Sequence, residues 1–280
     1  MTLHLHVGAH KTATTHLQAT LIRHRAQLAE AGVKFLRPDD IRALIGSGRR
    51  AAARMGAFPS IRRSGAARRL ARLDQGAERI VLSDENSLGQ CIEIFRRNSL
   101  YPTAMRRLTI WRRLAAQRET IVYLSIRNHA EFLSGAYVQS IRNAPLHRPE
   151  VRRLAQMPRR WTDIAEDIRL ALPGARLRVW AYEDYTALTP RILREMTGLT
   201  LQPVRRRPMA TPSAAAVAAL DASARPSDKA LQALAADHPI TPDNPKFTLW
   251  SAAQTRALTA MYDEDLATLR RDLGEDFLGP

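Results

Sequence analysis

From Thr2 to Val7 (TLHLHV) apolar and polar residues alternate with a period of two; from Thr14 to Ala31 the apolar positions Leu17, Leu21, Leu28 and Ala31 recur with a helical period. The first pattern predicts a strand and the second a helix over residues 14–31, closed by Gly32 as a C-terminal cap. The same exchange of short β-branched runs and longer helical stretches continues downstream. Strands are expected at 79–83 (RIVLS), 120–126 (TIVYLSI) and 176–182 (RLRVWAY), with VKFL at 33–36 as a further one. Helices are expected near 102–117, 129–143, 150–171 and 188–197. Strands and helices in turn make an α/β fold, a parallel sheet covered by helices.

After Leu201 the character changes. QPVRRRPMATPS is a basic, proline-broken connector, followed by helical periodicity near 213–223, 227–237 and 248–273. The last stretch carries Leu249, Ala252, Leu258, Met261, Leu266 and Leu269, a stripe that needs something to pack against. We read residues 1–280 as a single domain, with about 205–280 as a helical extension of it. No internal repeat is visible.

Composition narrows the class. The 280 residues are 45% hydrophobic and 25% charged, which suits a folded enzyme-sized chain rather than a disordered one. The net charge of +16 raises the question of a polyanionic partner. Arginine supplies 39 of the 43 basic residues, scattered with local density in 49–72, 96–113 and 205–207, and aromatics are only 6%. With no aromatic ladder for stacking bases, a nucleic-acid partner is not expected. The single cysteine, Cys91, excludes an internal disulfide and a multi-cysteine metal site and reads as a small core residue. No apolar run is long enough to span a membrane and no secretory leader pattern opens the chain, so the expectation is a cytoplasmic protein.

The chemistry begins at HVGAHKTATTHLQ, residues 6–18. A strand entering a helix through a short loop gathers unpaired amides and the positive end of the helix dipole at one place, which favours an anion. Lys11 adds a charge there. Thr12, Thr14 and Thr15 add hydroxyls, and either Thr14 or Thr15 is equally a candidate N-cap. The spacing is not that of a Walker loop: two residues separate Gly8 from Lys11, and no second glycine precedes the lysine. Two more polar clusters end predicted strands, Asp84 and Glu85 in IVLSDENSLG and Arg127 in TIVYLSIRNHAEFLSGAY. All three therefore fall at carboxyl ends of strands, where open α/β sheets place ligands. His4, His6, His10 and His16 invite a metal reading, but without a matching carboxylate pattern we read the strand histidines as core or cleft polar residues.

HVGAHKTATTHLQ and SIRNHAEFLSGAY resemble two motifs of the sulfotransferases that use 3′-phosphoadenosine 5′-phosphosulfate (PAPS): the 5′-phosphosulfate loop and the strand and helix that bind the 3′-phosphate. LSDENSL is similar to the strand end that bears an acidic catalytic residue in the bacterial and carbohydrate-type branch. The resemblance covers roughly residues 2–140 and implies a three-layer, P-loop-like parallel sheet. It further implies PAPS as donor, PAP as product, no metal requirement, and a hydroxyl or amine of a small molecule or carbohydrate as acceptor. By the same resemblance Lys11, Thr12, Ala13, Thr14 and Thr15 hold the phosphosulfate and Arg127 the 3′-phosphate. Glu85 is the first candidate base and His10, adjoining Lys11, the second, while Asp84 is read as orienting the loop.

Two positions depart from the family pattern. Ala13 stands where the family has glycine, which is costly if the position needs a positive φ. The family serine eight residues after the arginine falls on Gly135, so either Ser134 substitutes or the contact is missing. Lys246, in DNPKF, is either a surface lysine or a cation near the cofactor; Tyr137 is either a pocket or a core residue. Trp111, Trp161, Trp180 and Trp250 read as packing. The enzyme alternative is an ATP-dependent small-molecule kinase in which Asp84 holds Mg²⁺; the non-enzyme alternative is a polyanion-binding protein. The acceptor pocket is expected in loops 39–70 and 85–105.

Overall fold

The computed structural model describes residues 1–45, 77–142, 153–156, 159–205, 210–221 and 227–280. The arginine-dense stretch 49–72, and with it most of the expected acceptor loop 39–70, lies outside the described residues.

Six parallel strands form one sheet in the order β2-β3-β1-β4-β5-β6. They are β1 (Thr2–His6), β2 (Val33–Leu36), β3 (Arg79–Ser83), β4 (Glu119–Ile126), β5 (Arg176–Ala181) and β6 (Phe277–Leu278). The five expected strands are all present within a residue or so. The two-residue β6, too short to give a periodic signal, ties the chain's C-terminal end to β5.

Helices cover both faces, completing three layers. One face carries α1 (Thr14–Arg23), α2 (Arg25–Glu30) and α9 (Tyr185–Thr197), whose Leu17, Leu21, Leu28, Leu188 and Ile192 pack with Val81, Tyr123 and Trp180. The other face buries Leu3, Leu5, Leu82, Val122 and Leu124. Against it lie α4 (Cys91–Arg97), α5 (Ala104–Leu108), α6 (Arg112–Ala115), α7 (His129–Ile141), α8 (Trp161–Ala171) and α12 (Ala252–Leu273). Burial on both faces explains the continuous apolar run of β4. β1 alternates for a different reason than exposure: its polar residues, His4 and His6, are buried and stack on Tyr123 and Trp180.

Several boundaries differ from expectation. The helix over 14–31 is broken at His24, whose ring reaches Gln27 and the carbonyl of Gln202, and Ala31 is exposed rather than part of the buried stripe. Gly32 closes the second piece with φ 68°. The stretch 102–117 is three short helical pieces rather than one helix. Of 150–171, the described α-helix begins at Trp161. α3 (Pro38–Ile45) was not expected, although proline followed by Asp39 and Asp40 is a good helix start.

The C-terminal helices belong to the same body. α12 begins with a capping box, Ser251 with Gln254, and buries Leu258, Tyr262 and Leu269 in the core. α10 (Ala214–Asp221) and α11 (Asp228–Asp237) pack against each other and add Val217, Leu220 and Leu231 to the same core. Among the described residues, no helix is long and apolar enough to cross a membrane.

Candidate functional site

The strand order puts β1 between β3 and β4, so the loops after these three strands, bearing Lys11, Asp84–Glu85 and Arg127, are neighbours along one sheet edge. The chain runs from β1 outward to β2, returns to β3, then crosses to β4 on the other side of β1. Such a reversal opens the ligand crevice of a doubly wound sheet. The sequence motifs are thus brought together by topology.

The loop after β1 is tightly shaped. A Cβ at Gly8 would stand 2.6 Å from Nε2 of His6, so only glycine fits. Lys11 and Ala13 both have φ 62°. The positive φ at Ala13 means the departure from glycine is a strained one. Ala13 is the N-cap of α1, and no side chain caps the helix. Neither Thr14 nor Thr15 fills that role: Thr12 donates its hydroxyl to the carbonyl of Ala9 at 2.6 Å, Thr14 approaches the same carbonyl at 3.5 Å, and Thr15 is exposed. Among the described residues the amides of Lys11, Thr12 and Ala13 have no backbone acceptor, and those of Thr14 and Thr15 open the helix. The result is a short run of N–H groups without backbone acceptors, with a lysine among them.

Lys11 is half-buried and, among the described residues, has neither a carboxylate within salt-bridge distance nor a hydrogen-bond acceptor on its ammonium. Burial pushes its pKa down, Arg127 and Arg142 push it further the same way, and Glu85 and Cys91 oppose them. An unpaired, partly desolvated cation seeks an anion.

Arg127 is held on three sides. Nη1 donates to the carbonyl of Lys11 at 2.9 Å, Nη2 pairs with Glu131 at 3.1 Å, and the guanidinium lies over the Tyr182 ring at 4.6 Å. Lys246 pairs with the same Glu131 oxygen, which brings it beside Arg127 and not onto an isolated surface. The Arg127 backbone is fixed by Trp161, whose indole N–H donates to its carbonyl at 2.8 Å. Asn128 caps α7 with its side chain and donates to Thr259 of α12. His129 pairs with the buried Asp265 at 2.8 Å, also on α12. The C-terminal helix therefore sets the geometry of the Arg127 turn, a role without any local sequence signal.

At the end of β3, Oδ1 of Asp84 accepts the Asn86 amide at 3.0 Å and caps a 3-10 turn, Glu85–Ser87, so Asp84 orients the loop. Glu85 is half-buried and close enough to act on Lys11, His10 and Cys91. Its carboxylate has no partner among the described residues. His10, in contrast, is buried and occupied: its ring nitrogen Nδ1 and its amide both meet the Tyr101 hydroxyl, at 2.8 and 2.9 Å. Burial lowers its pKa despite the nearby acids. His10 thus fits a positioning role better than that of a base. Tyr101, at φ 42°, is a strained residue spent on that contact.

Ser134 is also occupied. Its hydroxyl donates to the Ala130 carbonyl at 2.7 Å and accepts the Leu249 amide at 3.3 Å. Gly135 is the residue that meets Lys11: a Cβ there would stand 3.1 Å from Lys11 Cε. Tyr137 is core, between Phe95 and Phe247, and Cys91 is buried. The four tryptophans are buried, as packing requires. His4 and His6 are core residues with hydrogen bonds to Tyr123 and Ser83.

No protein-family model, no curated protein and no solved structure matches the chain.

Proposed function

We propose that this protein is a PAPS-dependent sulfotransferase that acts in the cytoplasm on a hydroxyl or amine of a small molecule or carbohydrate. The observation that carries the reading is Lys11: among the described residues, an ammonium without a salt-bridge partner at the mouth of a helix whose first amides are open, with Arg127 hydrogen-bonded to the same residue's carbonyl. The guanidinium is thereby tied to the backbone that carries the ammonium, and two cationic groups beside one another suit a ligand with two anionic groups.

The donor supplies an activated sulfuryl group. The open amides of residues 11–15 and the Lys11 ammonium take up the charge that develops on the leaving phosphate as its bond to sulfur breaks. Glu85 accepts the proton from the acceptor oxygen or nitrogen as the new bond to sulfur forms. Arg127, with Lys246 beside it, binds the second phosphate. The kinase alternative asks Asp84 to hold a metal, and its Oδ1 is already engaged in capping the Glu85 turn.

The test is release of PAP from PAPS across a panel of sugar, alcohol and amine acceptors. Glu85→Gln is expected to keep PAP affinity and lose turnover by about 10²–10⁴. Lys11→Ala is expected to lose both, turnover by about 10²–10³. Normal binding and turnover in Lys11→Ala would overturn the reading.

A further inference from the structure

One buried hydroxyl near this site has no partner. Thr211 is 2% exposed, and among the described residues its Oγ1 makes no hydrogen bond. It lies 3.3 Å from the point where a Cβ on Gly135 would stand, and Lys11 Cγ and Cε lie 3.3 and 3.1 Å from the same point. An orphaned hydroxyl, the stem of an unpaired lysine and the bare backbone of a glycine therefore meet in one place. Buried hydroxyls are almost always satisfied, so an unsatisfied one beside a cation marks a place for an acceptor that is not part of the chain.

The segment that delivers Thr211 is built to hold it there. Upstream, His16 bonds the Val204 carbonyl at 2.9 Å, Thr20 accepts the Val204 amide at 3.2 Å, and His24 bonds the Gln202 carbonyl at 3.0 Å. The connector thus runs back along α1 toward the Lys11 loop. Downstream, Ser213 forms an antiparallel bridge with Lys246, and the Phe247 amide donates to the Pro212 carbonyl at 2.8 Å. Thr211 is thus clamped from its C-terminal side, yet its own side chain is left unused.

We infer that Thr211 is an anion ligand of the Lys11 site and supplies, from the C-terminal segment, the hydroxyl that residue 135 cannot. Its Oγ1–H donates to an oxyanion oxygen of a phosphate or sulfate group whose charge Lys11 balances. Gly135 is then the partner of this arrangement: a side chain there would fill the space the Thr211 hydroxyl addresses. The inference rests on the reading of the Lys11 loop as an oxyanion site, and within that reading it assigns a ligand from outside both sequence motifs.

The experiment is calorimetric titration of PAP and of inorganic pyrophosphate into the wild-type protein, Thr211→Val and Thr211→Ser, with thermal melts of each unliganded variant. Thr211→Val keeps the shape and removes the hydroxyl. It is expected to melt no lower than wild type, because an unsatisfied hydroxyl is replaced by a methyl, yet to bind PAP ten- to a hundred-fold more weakly, the range of a hydrogen bond to a charged group. Thr211→Ser is expected to bind within a few-fold of wild type. Unchanged PAP affinity in Thr211→Val, or equal losses in both variants, would overturn the inference. Pyrophosphate binding that depends on Thr211, with no PAP binding, would keep the inference and remove the sulfotransferase reading. A wild-type protein that binds neither would remove both.

Discussion

Arg127 and Lys11 are joined by a hydrogen bond from the arginine Nη1 to the lysine carbonyl at 2.9 Å, across two adjacent strands, β4 and β1. The guanidinium therefore braces the loop in addition to the 3′-phosphate contact proposed for it. Arg127→Ala should accordingly have two effects. PAP binding is expected to weaken by about 1.5–3 kcal/mol, the scale of a hydrogen bond to a charged group. Adenosine 5′-phosphosulfate, which lacks the 3′-phosphate, is expected to lose less, only what slackening of the loop costs. Paired titrations of both ligands measure the difference; equal losses would make Arg127 a brace alone.

The strain at Ala13 gives a stability prediction. Alanine at φ 62° pays a cost that glycine does not. Ala13→Gly is expected to stabilise the protein by about 1 kcal/mol, seen as a higher urea midpoint at unchanged slope. A lower midpoint would mean that the methyl contributes more by packing on the α1 face than the backbone loses.

His4 and His6 predict the pH dependence of folding. Burial pushes both from 6.5 down to about 4. Above pH 6.5 each is neutral whether folded or unfolded and contributes nothing. Between 6.5 and 4 the unfolded chain takes up protons that the folded chain refuses, so stability falls as pH falls. By pH 5 the loss is about 2 kcal/mol for each histidine, and His10, lowered by the same cause, adds to it. Urea unfolding at pH 7.5, 6.5, 5.8 and 5.0 checks this; equal stability across that range would contradict the burial of these rings.

The parts of the site that were legible are those written in contiguous residues. The Lys11 loop, the Glu85 turn and the Arg127 turn each end a strand whose periodicity is plain, and the parallel sheet brings their loops to one edge. Illegible were the contacts that depend on distant chain. Thr211 sits in a proline-broken connector with no periodic signal, and Trp161, Asp265 and Thr259 reach the Arg127 turn from helices over a hundred residues away in two of the three cases. Ser134 illustrates the opposite error: a hydroxyl one residue from the expected position points to the helix backbone instead, because neighbours on a helix face different sides. The β1 histidines were expected in the core or a cleft, and they are core: His4 and His6 are buried by ring stacking and one hydrogen bond or two, partners on other strands that the sequence alone does not name.

The central claim is that the Lys11 loop and Arg127 together hold the two anionic groups of PAP without a metal. Thermal unfolding with PAP and EDTA, set beside ATP with Mg²⁺, tests it most directly. At a hundred times its Kd a ligand stabilises by about 2.7 kcal/mol, a shift of several degrees or less in a chain of this size but well above the error of the melt. The account predicts that PAP raises the melting temperature in the presence of EDTA and that ATP with Mg²⁺ does so weakly. Stabilisation by ATP that EDTA abolishes, with no response to PAP, would contradict it.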